Sequence, residues 1–352
     1  MLKNIFVLVL LSLFIIACGD KGDQPGKVLS DKEKYTFDST DLKTEGVDNS
    51  GKPFLMEYKL KKGELLSYRL TTISKNTQSM TVTDSTISSG IDQKIIYLFD
   101  VAIKEVDEEG NTEAEIKINS LKLDANANTE KYSFETGKDN DTAKIKQFAE
   151  FYSLYNNPFS VRINKKGEIL EVFKADKISN KYLELKGAAD TLSIEDKNIV
   201  KQDLINGVLK PFITQVFRKV PDKEVCKDST WFINQPPIPF MVYQINYKNT
   251  YKIGSVEKLD DSRIAVVDAG IEFNYSGQSK VNDRGVDYTF QKPVSTAEGK
   301  FYFDVDKGYQ LKSRTKTNLQ ITYTMEANTP QGKQKGKRSE TVTSQNILEL
   351  IK

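Results

Sequence analysis

From Phe54 to the C-terminus, apolar residues recur at every second position in run after run, and no other feature restricts the fold as severely. Met56, Tyr58 and Leu60 precede the turn Lys61-Lys62-Gly63-Glu64, and Leu66, Tyr68 and Leu70 follow it. A period of two puts such side chains on one face of a strand, so each run predicts a half-buried strand and each turn a hairpin. The pattern returns in Ile95, Tyr97, Phe99, Val101 and Ile103, then in Ala114, Ile116, Ile118 and Leu121. Phe159, Val161 and Ile163 continue it, as do Ile271, Phe273 and Tyr275, then Phe301 and Phe303, and finally Leu319, Ile321, Tyr323 and Met325. Phe99–Ile118 and Tyr251–Phe273 even share an order of strand, acidic turn and strand. Thr329–Arg338, rich in Gly and Lys, reads as an exposed loop.

Two stretches change period. Between 142 and 156, Ile145, Phe148, Ala149, Tyr152 and Tyr155 are three and four apart, which predicts an amphipathic helix. A longer one is predicted over 193–217, capped by Ser193 with Asp196 three residues on and striped by Val200, Leu204, Val208, Phe212 and Val216. Gly207 and Pro211 should weaken or kink its middle. The prolines of Gln235-Pro236-Pro237-Ile238-Pro239 force an extended connector, read as the join between halves. The expected fold is mainly β (α+β): an antiparallel curved sheet or half-barrel with two to three amphipathic helices on one face. Residues 53–235 form a first β-rich half and 236–352 a second, taken together as one structural unit.

Histidine is absent, which removes Ser-His-Asp and Cys-His catalysis and His-containing zinc or haem sites at once. With 51 Lys and Arg against 49 Asp and Glu, there is no electrostatic footprint for nucleic acid. The turn Asp107-Glu108-Glu109-Gly110-Asn111 lacks the ligand alternation and distal Glu of a calcium loop, so it is read as a hairpin turn and no metal or cofactor is expected. Acidic residues fall mostly in turns and no carboxylate pair stands out, so no enzyme activity is expected. Cys226 reads as a packing residue.

The first eighteen residues hold one positive charge, Lys3, and an apolar run from Ile5 to Ala17 broken only by Ser12. That is shorter than the roughly 20 residues a membrane-spanning helix needs, and it predicts a signal peptide over 1–18. Ile15-Ile16-Ala17-Cys18 resembles a bacterial lipobox, and by that resemblance Cys18 becomes the lipidated first residue of the mature chain. Residues 19–52, rich in Gly, Asp, Lys and Ser, are expected to be a flexible tether. Beyond the lipobox, Leu60–Glu64 with Tyr68, and Pro221, Lys223, Val225 and Trp231, resemble uncharacterised lipoproteins common in Bacteroidota. That resemblance implies no activity. Five Asp-Ser/Thr sequences, beginning with Asp38-Ser39-Thr40, are similar to an O-glycosylation pattern of such envelopes, although local turn chemistry accounts for most of them.

Together these features predict a non-enzymatic lipoprotein of the cell envelope, held through Cys18 at the outer membrane on its periplasmic face or at the surface. Its partner would be an apolar or amphipathic ligand, a lipid or another envelope component, in a cavity between sheet and helix. The aromatic and aliphatic stripes nominate Phe148, Tyr152, Tyr155, Leu204, Val208 and Phe212 as its lining. The alternative is a structural lipoprotein that contacts protein or glycan and has no small-molecule site. Oligomeric state is not encoded in any feature of the sequence.

Overall fold

The computed structural model describes residues 31–47, 51–82, 85–330 and 332–351; Cys18 and the predicted signal peptide lie outside them. The expected tether contributes β1 (Glu45–Gly46), and the first half carries β2 (Leu65–Val82), β3 (Ser85–Val106), β4 (Thr112–Ala127), β5 (Glu130–Glu135), β6 (Phe159–Ile163), β7 (Ile169–Phe173) and β8 (Thr230–Asn234). Then come β9 (Ile238–Phe240), β10 (Tyr243–Leu259), β11 (Ser262–Gly277), β12 (Lys280–Asp283), β13 (Val286–Phe290), β14 (Val294–Asp304), β15 (Tyr309–Thr329) and β16 (Gly332–Leu350). All belong to one antiparallel 16-stranded sheet, whose main path runs β1-β10-β11-β14-β15-β16-β2-β3-β4-β6-β7. The sheet is mainly β as expected and does not close on itself. The two halves of the chain meet where β16 pairs with β2, from Gly336↔Val82 to Leu350↔Tyr68.

The sheet does not lie flat. Tyr58 N–H donates to Lys165 O (2.8 Å) in the β6–β7 turn, and the next residue, Lys59, donates to Gly308 O (3.1 Å) in the β14–β15 turn. Adjacent residues are about 3.8 Å apart, whereas the six strand spacings from β14 to β6 would hold those turns about 29 Å apart in a plane. The stretch 54–60 therefore cross-links strands that are remote in the sheet.

After α1 (Asp31–Lys34), the helices α2 (Thr142–Gln147), α3 (Ala149–Tyr152), α4 (Asp176–Leu185), α5 (Ile194–Leu204) and α6 (Lys210–Val216) lie against the same face. The expected 193–217 helix is α5 (Ile194–Leu204) and α6 (Lys210–Val216), joined by a π-helical turn over Ile205–Leu209 that contains Gly207. Pro211 has no N–H to donate and its ring would crowd the carbonyl four residues back. Widening the preceding turn, where Lys210 N–H reaches back to Ile205 O, accommodates it. Ser193 Oγ caps α5 by accepting from Asp196 N–H. The expected 142–156 helix is broken at Phe148 into Thr142–Gln147 and Ala149–Tyr152, and a helix over Asp176–Leu185 was not foreseen. Phe212, Ile213 and Val216 of α6 enter the main core with Tyr97, Phe99, Phe301 and Phe303 of the sheet.

Two loops expected from composition are strands. The 235–239 connector carries β9, and both it and β8 pair with β10 at the sheet edge. The Lys-rich 329–338 segment begins β16; Lys333 and Lys335 (2.6 Å) pair with Glu326 across the hairpin, so that charge is partly offset.

Within the expected tether, residues 35–47 are pinned across the opposite face of the sheet. Asp38 pairs with Lys312 (2.8 Å), Asp41 with Lys300 (2.9 Å) and Arg314 (3.1 Å), and β1 adds to β10. Leu42 packs on Ile264, Val266 and Tyr302. Composition alone suggested disorder because each of these partners is more than 200 residues away. The hydrogen bond from Lys312, with those from the Thr40 N–H and hydroxyl, holds the Asp38 carboxyl well below the usual aspartate range. A depressed pKa contributes stability that is complete above the unfolded value of about 3.9 and is lost as pH falls through the lowered folded value. Proteolytic cutting within 31–47 should therefore stay slow in the wild type down to about pH 4 and accelerate at neutral pH in Asp38→Asn. Release of the wild-type strap between pH 8 and 6 would contradict this pairing.

Candidate functional site: a cavity beside the end of α6

The site arises from a sharp change of side-chain size along the helix-facing surface. On β14 that face reads Phe303, Phe301, Gly299, Ala297, two of the largest residues followed by two of the smallest. On β11, Ala265 and Val267 are followed by Ala269, which pairs with Gly299 and, on the other side, with Tyr251 of β10. Gly299 in turn faces Thr315, and Thr315 faces Asn346. Where α6 covers the sheet, Phe301 and Phe303 fill the space. Beyond its end the floor on β11 and β14 is made by Ala269, Gly299 and Ala297, and a cavity of about 390 Å³ remains. Phe217, Tyr251, Ile233 and Ile271 supply apolar wall, Asn249, Gln215 and Thr317 supply neutral polar groups, and Glu168, Lys219, Glu298 and Lys316 also line it.

Arg218, two residues past α6, is placed there by several contacts. Tyr58 OH donates to Arg218 O (3.1 Å) and to Val216 O (3.3 Å) and accepts from Arg218 N–H (2.8 Å), which satisfies the helix end. The Tyr58 ring is wedged edge-on between Phe217 (5.5 Å) and Phe303 (5.3 Å), and burial raises its hydroxyl pKa. The guanidinium lies 5.7 Å from the Phe301 ring centroid. Its Nε donates to Gln310 Oε1 (3.1 Å), and Nη2 reaches Gln215 Oε1 (3.3 Å) and Ser313 Oγ (3.4 Å).

Gln310 and Ser313 can both face Arg218 because of a β-bulge. Phe303 pairs with Gln310 while Tyr302 pairs with Lys312, leaving Leu311 as the extra residue. Three residues apart, Gln310 and Ser313 would otherwise face opposite sides of the sheet. Gln310 is further fixed by donating from Nε2 to Gln215 O (2.8 Å), and its own carbonyl accepts from Tyr68 OH (2.9 Å). Desolvation lowers the Arg218 pKa, and it raises that of Tyr251, whose ring stacks on Trp231 at 5.1 Å.

None of the six residues nominated from the sequence lines this cavity. Phe212 is 4% exposed, with its ring 4.7 Å from Phe99 and 5.7 Å from Tyr97; Val208 is buried beside it and Leu204 packs on the same core. Phe148 stacks on Phe134 at 5.0 Å, and Tyr152 and Tyr155 form an edge-on pair against the core. These stripes are packing. The residues that do line the cavity, Ile271 and Tyr251 among them, read only as strand residues in the sequence or are not singled out there, though the step from Phe301 to Gly299 and Ala297 is visible in it.

Among the described residues no three metal-ligating side chains come together. The acidic turn is held by its own residues, with Asp107 Oδ1 accepting from the N–H groups of Glu109 (3.0 Å) and Asn111 (2.8 Å). Cys226 is half-buried, and its N–H donates to Ser229 Oγ (2.9 Å).

No curated protein matches the sequence. Among solved structures, lipovitellin, in a study titled for its lipid–protein interactions, is similar at 10% identity and a TM-score of 0.45 over 83% of this chain. This chain spans 25% of the lipovitellin chain. DynF from the dynemicin biosynthesis pathway of Micromonospora chersina is 6% identical over 90% of this chain and 94% of its own, with a TM-score of 0.17. OccK2 of Pseudomonas aeruginosa is 5% identical over 81% and 98%, with a TM-score of 0.19. These scores are low, and the site rests on its own geometry. One family model covers more than half of the chain, residues 109–309. The protein belongs to that family of unknown function, DUF6263.

Proposed function

We propose that the protein is a non-enzymatic lipoprotein of the cell envelope, anchored through Cys18, whose sheet forms a half-barrel holding the apolar part of an amphipathic ligand in the cavity beside α6. The observation that carries this reading is the loss of side-chain volume at Gly299, Ala297 and Ala269, which leaves about 390 Å³ beside a densely packed core. Cavities of roughly 300–1,000 Å³ with apolar walls and a few fixed polar groups are the usual form of small-molecule sites. The absence of histidine from the whole chain removes the commonest general base and supports a binding role over catalysis.

Enlarging the floor tests the reading. Ala297→Phe should weaken binding of a fluorescent single-chain fatty acid by about tenfold or more, since overfilling a formed site costs about 1–3 kcal/mol. Thermal unfolding would verify that the variant is folded. Unchanged affinity in a folded variant would place the probe elsewhere and sink the proposal.

A second reading, contact with a protein or glycan through the far end of the long hairpins, has one observation in its favour. Met80, Val82 and Ile87 are 41%, 40% and 74% exposed near the β2–β3 tip. Ile87→Ser should leave fatty-acid binding unchanged, and reduced binding would instead favour a ligand surface reaching that tip.

A further inference from the structure

Arg218 lines the cavity without a carboxylate partner among the described residues, although Glu298 and Glu168, the latter paired with Lys219 (3.3 Å), line it as well. Among the described residues, Arg69 pairs with Glu349, Arg162 with Glu171, Arg263 with Asp306, Arg314 with Asp41 and Arg338 with Glu340, while Arg284 is exposed in a turn. Arg218 is recessed against Phe301, and its guanidinium meets only neutral oxygens, those of Gln310, Gln215 and Ser313. Those partners occupy Nε and Nη2, and Nη1 has no acceptor among the described residues. Removing an ion from water carries a penalty of several kcal/mol unless it is paired. The carbonyl end of α6 and the Phe301 face offset part of that penalty. Arg218 is half-buried, and the bulge at Leu311, the Gln310 contacts and the Tyr58 clasp all hold this cation in place.

We propose that Arg218 receives the anionic head of a single-chain amphiphile, a carboxylate or a phosphate monoester, whose chain lies over the small-residue rows of β11, β14 and β15. This rests on the cavity being a ligand site, as proposed above. A guanidinium with two free N–H groups on one nitrogen suits an oxyanion, and charge-assisted hydrogen bonds are the strong ones. From Ser313, beside the guanidinium, to Thr317 the strand runs about 13 Å. Beyond it lies a second apolar cluster with Phe273, Leu319 and Tyr323. An extended chain of about dodecyl length matches the run from Ser313 to Thr317, at strand rises of roughly 3.3 Å per residue, and would end at the near edge of that cluster.

The chain has a single tryptophan, Trp231, stacked on the cavity-wall ring of Tyr251. Its fluorescence reports the site without a label. Quenching by 12-bromododecanoic acid, followed by competition with dodecanoic acid, dodecyl phosphate, 1-dodecanol and acetate, would be measured on the purified full-length protein. The expected result is that an anionic amphiphile competes at least tenfold better than dodecanol, with acetate inactive. Arg218→Gln should weaken the anion by roughly 10- to 100-fold, the usual range for a hydrogen bond to a charged group. It should leave dodecanol nearly unchanged, and Arg218→Lys should restore part of the preference. Whichever of carboxylate and phosphate competes better identifies the head. Equal competition by acid, phosphate and alcohol in the wild type would overturn the role of Arg218 and leave the apolar site standing. No quenching and no competition by any of them would overturn the site itself. If Arg218→Gln fails to fold, the wild-type ratio and Arg218→Lys still decide.

Discussion

Phe212→Ala is expected to lower stability by about 3–5 kcal/mol, the range for truncating a fully packed aromatic. Phe212 is 4% exposed and T-packed on both Phe99 and Tyr97, and it is the residue through which α6 grips β3. Such ring pairs contribute about 0.5–1.5 kcal/mol beyond the area they bury. The void would not collapse readily, because β3 is locked by ladders to β2 and β4 on either side and α6 is held at its end by Tyr58. Urea unfolding followed by far-UV circular dichroism should show a lower midpoint at nearly constant slope. A loss below about 1 kcal/mol would mean the site had relaxed or that α6 does not dock in this way.

Gly167→Ala is expected to be nearly as damaging, by a different mechanism. Gly167 turns β6 into β7 at φ +78, and a Cβ there would come within 2.5 Å of both Arg218 O and Tyr58 Cε2. A left-handed conformation costs a non-glycine residue about 1–2 kcal/mol, and forced overpacking adds about 1–3, for a loss of roughly 2–5 kcal/mol. The displaced groups are those that hold Arg218, so affinity for an anionic ligand should fall with stability. Gly207→Ala is the control: nothing lies within 4 Å of its Cβ, and the site is helical. It should be neutral or stabilising by up to about 1 kcal/mol. Equal losses in the two variants would show that the clash at Gly167 is not what matters.

The sheet was legible because its signal is local. Period two marked the strands, and even its lapses carried information: the three-residue step from Ile118 to Leu121 is the bulge at Asn119, and that from Ile253 to Val256 is the bulge at Gly254. Gly207 and Pro211 announced the interruption between α5 and α6. The strap was misread because Asp38, Asp41 and Leu42 look solvated until Lys312, Lys300 and Tyr302 are folded beneath them. The nominated residues pack in the core and lie outside this cavity for a related reason. A stripe of large apolar residues such as Val208 and Phe212 marks where space is filled, whereas a cavity is marked by small residues opposite a helix end. Where α6 ends depends on Tyr58, some 160 positions earlier in the chain, and no local pattern encodes that docking.

Native mass spectrometry of the protein, isolated from its native cells without detergent exchange, bears most directly on the central claim. A cavity that holds the chain of an amphiphile predicts one bound species per protein, with the mass of a single-chain acid or phosphate, shed in organic solvent and missing from Ala297→Phe. A bare protein mass that stays bare after dodecanoic acid is added would contradict it.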